Sequence, residues 1–275
     1  MQLVLRVKDV LAAAGIEAAE TEARWLVEAG TGRGWSDLVT DHAEIEVKQE
    51  RCTLDLAYRR TLGEPLQYII GAAQFRNLDV AVGPGVFIPR PETEQVVDVA
   101  LTHLPSNGTA VDLGTGSGAI ALALAQERPG SEVWATEVSS DALGWAARNV
   151  SALHSSVQLV SGDLFDAVPQ WLRGRLDLVV SNPPYVRRDE AGGLPVEVRD
   201  HEPEIALFAG GDGLDVVRRI ATDARDWLGE GGWLVLEIGA GQGSQVAAMV
   251  EDAGYVAVSV ETDFAGRPRI LEARR

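Results

Sequence analysis

A short apolar run that stops at a glycine-rich turn and resumes as a helix constrains this chain more than any other feature. Residues 109–113, Thr-Ala-Val-Asp-Leu, read as a buried strand; Gly114, Thr115, Gly116, Ser117 and Gly118 form the turn; residues 119–128 carry a helical pattern. That order belongs to an open α/β sheet, whose ligands bind beyond the carboxyl ends of the strands. Glycines let the backbone pass close under a ligand, and the helix start offers unpaired N–H groups. The next strand, 132–136, ends at Glu137, where a carboxylate commonly accepts from ribose hydroxyls. Ser161-Gly162-Asp163 closes a third strand.

A fourth strand, Leu176 to Ser181, runs into Asn182-Pro183-Pro184-Tyr185. Proline lacks an N–H and holds the residue before it in extended conformations, so Asn182 and Pro183 are kept out of helix. The Asn182 amide oxygen and the Pro183 carbonyl make two neighbouring acceptors, which suit an NH2 group. Tyr185 supplies a flat apolar face for the planar group that carries it. Outside this setting the tetrad would read as an ordinary proline-rich turn.

The glycines also satisfy the dinucleotide pattern G-x-G-x-x-A through Gly114, Gly116 and Ala119. Against a nicotinamide dehydrogenase stand the third glycine, Gly118, the carboxylate of Asp112 inside the strand, and a fourth strand that delivers the tetrad in place of a hydride-transfer residue. A binding module without catalysis is the third alternative, and an intact turn together with an intact tetrad argues against it.

Taken together, these residues resemble a class I S-adenosylmethionine-dependent methyltransferase that acts on amino groups. The segments 63–69 (Gly-Glu-Pro-Leu-Gln-Tyr-Ile), 88–94 (Ile-Pro-Arg-Pro-Glu-Thr-Glu), 112–120, 182–185, 201–210 (beginning His-Glu-Pro) and 232–239 (Gly-Trp-Leu-Val-Leu-Glu-Ile-Gly) are similar to the PrmC/HemK family. The resemblance spans nearly the whole chain, and the Pro-Arg-Pro-Glu-Thr-Glu and His-Glu-Pro segments are its most particular part. It implies transfer of a methyl group from S-adenosyl-L-methionine, released as S-adenosyl-L-homocysteine, to the glutamine N5 of the Gly-Gly-Gln motif in class I peptide chain release factors.

The resemblance further implies that residues 114–118 lie under the methionine part of the cofactor and that Glu137 holds the ribose. Relatives more often carry Asp at the Glu137 position. Asp163 and Leu164 would flank the adenine, and Asn182 would stand between cofactor and substrate. Asn182 and Pro183 would be catalytic, with Asn182, Pro183, Pro184 and Tyr185 holding the glutamine amide. Arg90 is a candidate for the cofactor carboxylate, and the lone His201 is left out of the catalytic set.

Adenine N6 and guanine N2 are also conjugated amino groups, so an amino-directed nucleic-acid methyltransferase is the alternative reading. Composition opposes it: 24 Lys+Arg stand against 41 Asp+Glu, for a formal charge of −17, whereas a polyanion calls for a basic face. An acidic enzyme more naturally meets a basic protein surface. No stable nucleic-acid binding is expected.

The expected architecture is α/β: a class I methyltransferase-like (Rossmann-like) doubly wound sheet with an antiparallel edge strand, preceded by a small helical N-terminal domain. Residues 1–75 form a helical substrate-docking domain, in which Ala19, Ala23, Leu26 and Gly30 share one core face and Leu54, Tyr58 and Leu62 another. Residues 76–90 read as a hairpin linker and 91–275 as the methyltransferase domain, with Pro91, Glu92 and Glu94 opening a helix. The stretch 186–213 lacks long apolar periodicity and reads as a substrate-covering loop. The last two strands, near 255–260 and 269–273, are expected to pair as a hairpin at a sheet edge. One cysteine, Cys52, and four scattered histidines give no disulfide and no metal site. A cytoplasmic monomer without a membrane span is expected.

Overall fold

The computed structural model describes residues 2–40 and 44–275. Met1 and residues 41–43, which the sequence reading includes in the helical segment, lie outside the described residues. The chain divides into two compact units, one of residues 1–72 with 195–201, the other of 73–194 with 202–275.

The smaller unit is built from α1 (Gln2–Ala13), α2 (Ala19–Thr31), α3 (Trp35–Thr40), α4 (Val47–Thr61) and α5 (Leu66–Ile70). Leu3, Val4, Val7 and Leu11 of α1 recur at helical spacing and are buried against Ala23, Leu26 and Val27 of α2. Gly30 lets α2 and α4 approach closely, for a Cβ there would lie 2.6 Å from the Cα of Thr53. That approach decides which face of α4 is buried. Thr53 and Ala57 are covered and Leu54 packs partly buried against the core, while Tyr58 and Leu62 are each 63% exposed, so the expected core face Leu54, Tyr58, Leu62 is corrected at Tyr58 and Leu62, whose place smaller residues take. Arg60 crosses to Glu22 through Nε–Oε2 (2.7 Å) and also meets Glu197 at 2.8 Å.

The larger unit opens with a two-stranded sheet, β1 (Ala72–Phe75) and β2 (Leu78–Ala81). After it come α6 (Pro91–His103), β3 (Thr109–Leu113), α7 (Ala119–Glu127), β4 (Glu132–Glu137), α8 (Ser140–Ala152), β5 (Gln158–Ser161) and β6 (Leu176–Ser181). Three short helices follow in the next stretch of chain: a 3-10 turn Arg188–Gly193, α9 (Val196–His201), which groups with the smaller unit, and α10 (Glu204–Leu207). The stretch read as one loop is therefore folded, and a bridge from Val186 to Phe208 returns its end to its beginning. The chain ends with α11 (Asp215–Trp227), β7 (Leu228–Glu237), α12 (Gly243–Asp252), β8 (Val256–Thr262) and β9 (Pro268–Arg274).

Seven strands form the main sheet in the order β5-β4-β3-β6-β7-β9-β8. The first five run parallel, and β9 is antiparallel to both β7 and β8. This is the doubly wound class I methyltransferase architecture, with the expected terminal hairpin at the edge. Leu178, Val179 and Val180 of β6 are fully buried, as a central parallel strand covered on both faces requires. The chain order reverses between β3 and β6, which opens a crevice at their carboxyl ends. Among the described residues no helix is long and apolar enough to cross a membrane.

Candidate functional site

Both ends of that crevice are defined by residues of the larger unit. At the end of β3, Gly114 (φ 67°), Gly116 (φ 58°) and Gly118 (φ 87°) all adopt the left-handed conformation, which costs glycine nothing. A Cβ on Gly114 or Gly116 would meet no atom within 4 Å, so both border open space. The turn is pinned by Thr115 N to Thr136 O (3.0 Å) and Gly118 N to Thr115 O (2.9 Å). Buried Ser117 lends its carbonyl to Asn149 Nδ2 at 2.9 Å, and the same Asn149 exchanges two hydrogen bonds with Ala81. One α8 side chain thus ties the glycine turn to β2.

Asp112, 1% exposed, accepts from the Thr115 hydroxyl (2.5 Å) and Ala121 N (3.2 Å) through Oδ2. Its Oδ1 is buried without a hydrogen-bond partner among the described residues. Burial pushes the Asp112 carboxyl up to about 7, with a smaller push from the charge of Glu137. Glu137, at the end of β4, accepts from Gly116 N through Oε2 (2.9 Å) and from Ser139 N through Oε1 (2.8 Å). The predicted carboxylate is thereby locked to the predicted turn. Asp163 follows Gly162, whose N–H donates to the Glu137 carbonyl at 2.9 Å, and pairs with Arg219 at 2.7 Å, both side chains half-exposed. Leu164, which follows it, is buried with φ 47°, a conformation a branched side chain adopts only where packing holds it.

At the end of β6, Ser181 Oγ donates to Leu113 O at 2.6 Å, joining the tetrad to the end of β3. Pro183 is buried, and Asn182, Pro184 and Tyr185 are partly so. Asn182 Nδ2 donates to the Thr93 hydroxyl (3.1 Å), which donates to Glu237 Oε2 (2.6 Å). Tyr185 donates its phenol proton to Glu237 Oε1 at 3.1 Å, and its carbonyl accepts from Gln242 Nε2 at 3.0 Å. Burial pushes both Glu237 and the Tyr185 phenol up; for Glu237 the hydroxyl of Thr93, the charge of Arg269 and the phenol of Tyr185 oppose it.

Sequence reasoning missed Thr93, Glu237, Gln242 and Asn149 as parts of the site. Thr93 and Glu237 lie inside segments that carried the family resemblance, and a carboxylate ending the apolar run 233–236 was a usable signal. The Pro-Arg-Pro-Glu-Thr-Glu segment proves to be a junction. Its Arg90 pairs with buried Glu202 and stacks over Phe87, Thr93 meets Asn182 and Glu237, and Glu94 accepts from Arg76 N at 2.8 Å. Arg90 thus has a protein carboxylate as its partner. Pro91 opens α6 with Glu92 and Glu94 in its first turn, as expected. His201 ends α9 in the smaller unit.

Two family models match the chain: a PrmC N-terminal domain over residues 2–71 and a methyltransferase small domain over residues 77–194. The chain is 44% identical to the release factor glutamine methyltransferase of Streptomyces coelicolor, covering 96% of this chain and 94% of that protein. It is 38% identical to the protein of the same description from Geobacter sulfurreducens, covering 97% and 93%. Among solved structures, a methyltransferase from Pyrococcus furiosus aligns with a TM-score of 0.55 at 22% identity, over 72% of this chain and 89% of that one; it speaks for the fold alone.

Proposed function

Because the chain belongs to the family of release factor glutamine methyltransferases, we propose that it moves a methyl group from S-adenosyl-L-methionine to N5 of the glutamine in the Gly-Gly-Gln motif of class I peptide chain release factors. The observation that carries this reading is the setting of Asn182-Pro183-Pro184-Tyr185, one hydrogen bond from the end of β3 at the point where the chain order reverses.

The residues after β3 and β4 fit the cofactor. Open space beside Gly114 and Gly116 and the unpartnered Oδ1 of Asp112 are what a polar guest over the turn calls for. Residues 114–118 would hold the methionine part and Glu137 the ribose, since each carboxylate oxygen keeps a lone pair after accepting one backbone N–H. Asp163 and Leu164 would hold the adenine. When bound, the cofactor supplies a methyl group on positively charged sulfur and leaves as S-adenosyl-L-homocysteine.

A carboxamide nitrogen shares its lone pair with the carbonyl and is a poor nucleophile. Asn182 Oδ1 and the Pro183 carbonyl would accept its two N–H bonds, which draws the nitrogen toward tetrahedral geometry and stabilises the positive charge that develops. Tyr185 would lie along the plane of the amide. No strong base is required, because alignment alone supplies on the order of 7 to 11 kcal/mol; the new N–C bond would form as the methyl–sulfur bond breaks, and the surplus proton on nitrogen would then pass to solvent water. The charge of −17 suits a basic protein partner better than nucleic acid, and the helical unit is the part we assign to docking it.

Labelled S-adenosylmethionine supplied with release factor, with the same factor lacking its Gly-Gly-Gln glutamine, with duplex DNA and with ribosomal RNA tests the reading. Label is expected in the first tube alone; label in the second, or in either nucleic acid, overturns it.

A further inference from the structure

The side chains behind the tetrad form a line of hydrogen bonds whose direction is fixed at one end. Glu237, 1% exposed at the end of β7, receives the phenol of Tyr185 at 3.1 Å and the hydroxyl of Thr93 at 2.6 Å. Both hydroxyls donate to it; burial disfavours its ionised form, while those two donors and the charge of Arg269 favour it, and that form can only accept, so both hydroxyl protons point toward it. Thr93, 3% exposed, has one proton to give. With that proton on Glu237, its oxygen can only accept from Asn182, and it does so from Nδ2 at 3.1 Å. The acceptor Oδ1 is then the amide atom left for a guest.

The two ends of a carboxamide are nearly alike in shape, so sterics do not choose between its two orientations. Turned over, Asn182 would present N–H groups to the NH2 of a glutamine, donor facing donor. We propose that Thr93 and Glu237 are positioning residues that set the polarity of the Asn182 amide, so that an oxygen and not a nitrogen faces the substrate nitrogen. The proposal rests on the tetrad holding the substrate amide, as read above. The same carboxylate fixes the Tyr185 ring by its hydroxyl, so one buried group orders both polar members of the tetrad.

The test compares kcat on release factor, the affinity for S-adenosylmethionine by calorimetry, and the melting midpoint, in the full chain. Thr93→Val keeps the side-chain shape and removes the hydroxyl. Its kcat is expected to fall by about fivefold to about a hundredfold, the range of one lost buried hydrogen bond, with cofactor affinity within about twofold of wild type. Thr93→Ser returns the hydroxyl and is expected to recover kcat to within about threefold. Glu237→Gln can donate to Thr93 as well as accept, so the polarity is no longer forced and kcat falls by about threefold or more; it carries the test by itself if Thr93→Val does not fold. Thr93→Ser as impaired as Thr93→Val would mean the methyl packing matters and not the hydroxyl, and overturns the proposal. So does a kcat unchanged in Thr93→Val, or in Glu237→Gln, beside an Asn182→Ala that has lost its own. An Asn182→Ala that keeps wild-type kcat removes the tetrad reading itself, and the two failures are thereby told apart.

Discussion

The ends of β3 and β6 lie side by side and are made in opposite ways. At β3 the backbone does the shaping: three left-handed glycines, open space beside two of them, and a carboxylate from the end of β4 that accepts the turn's Gly116 N–H. At β6 the shape of the tetrad is local, but its orientation comes from Thr93 and Glu237, which lie 89 residues before Asn182 and 52 residues after Tyr185. A site half specified by backbone and half by distant side chains should fail in two separable ways. Changes at β3 should act on cofactor binding, and changes at β6 on turnover.

The largest expected effect is at β6. On the proposed role, Asn182→Ala would remove one of the two acceptors on the developing charge, and kcat should drop by about 10² to 10³ while cofactor affinity stays; single-turnover rates at saturating cofactor check this. Next comes Asn149→Ala, which strands the Ser117 carbonyl in a buried setting and both backbone groups of Ala81 in a part-buried one. A loss of about 2 kcal/mol in unfolding free energy is expected from denaturant titration, and kcat at saturating cofactor should be spared.

A smaller effect is expected at the open glycine. Gly116→Val meets no protein atom at its Cβ, so the fold loses only about 1 to 2 kcal/mol for the left-handed backbone. Cofactor affinity should fall by about tenfold or more as the new side chain fills the guest's space, by calorimetry. A weakened kcat with intact affinity would erase the contrast between the two ends.

A separate expected effect is a dependence of stability on pH. Asp112 ionises at about 7 when folded and near 3.8 when unfolded, so between those values the folded state holds the extra proton. Stability from this group is therefore full below pH 3.8, is lost as pH rises toward 7, and is flat above. Asp112→Asn keeps an acceptor for Thr115 and Ala121 without a titrating proton. The wild type should lose melting midpoint relative to this variant across that window, and a constant difference would show that the carboxyl does not titrate there.

Legibility in the sequence followed the same divide. The glycine turn, Glu137 and the tetrad were readable because each is set by neighbours within a few residues: a strand that must end, a φ only glycine tolerates freely, a proline that excludes helix. The terminal hairpin was readable from its short connection. The inward face of α4 was not, since Thr53 and Ala57 were chosen by how closely Gly30 allows α2 to approach, and apolar periodicity favoured Tyr58 and Leu62. Asp163 illustrates a further gap: it sits where the third strand ends, yet its partner Arg219 comes from α11.

By itself, then, the sequence determined the order of strands and helices, the turn beneath the crevice and the chemical identity of the groups at its rim, because those depend on local backbone preference and on residue type. Only the tertiary structure decided which way the rim points. The polarity of the Asn182 amide and the anchoring of Tyr185 depend on donors and acceptors brought within 3.1 Å from α6 and β7, and the direction of a hydrogen bond is a property of the pair, which neither residue carries alone.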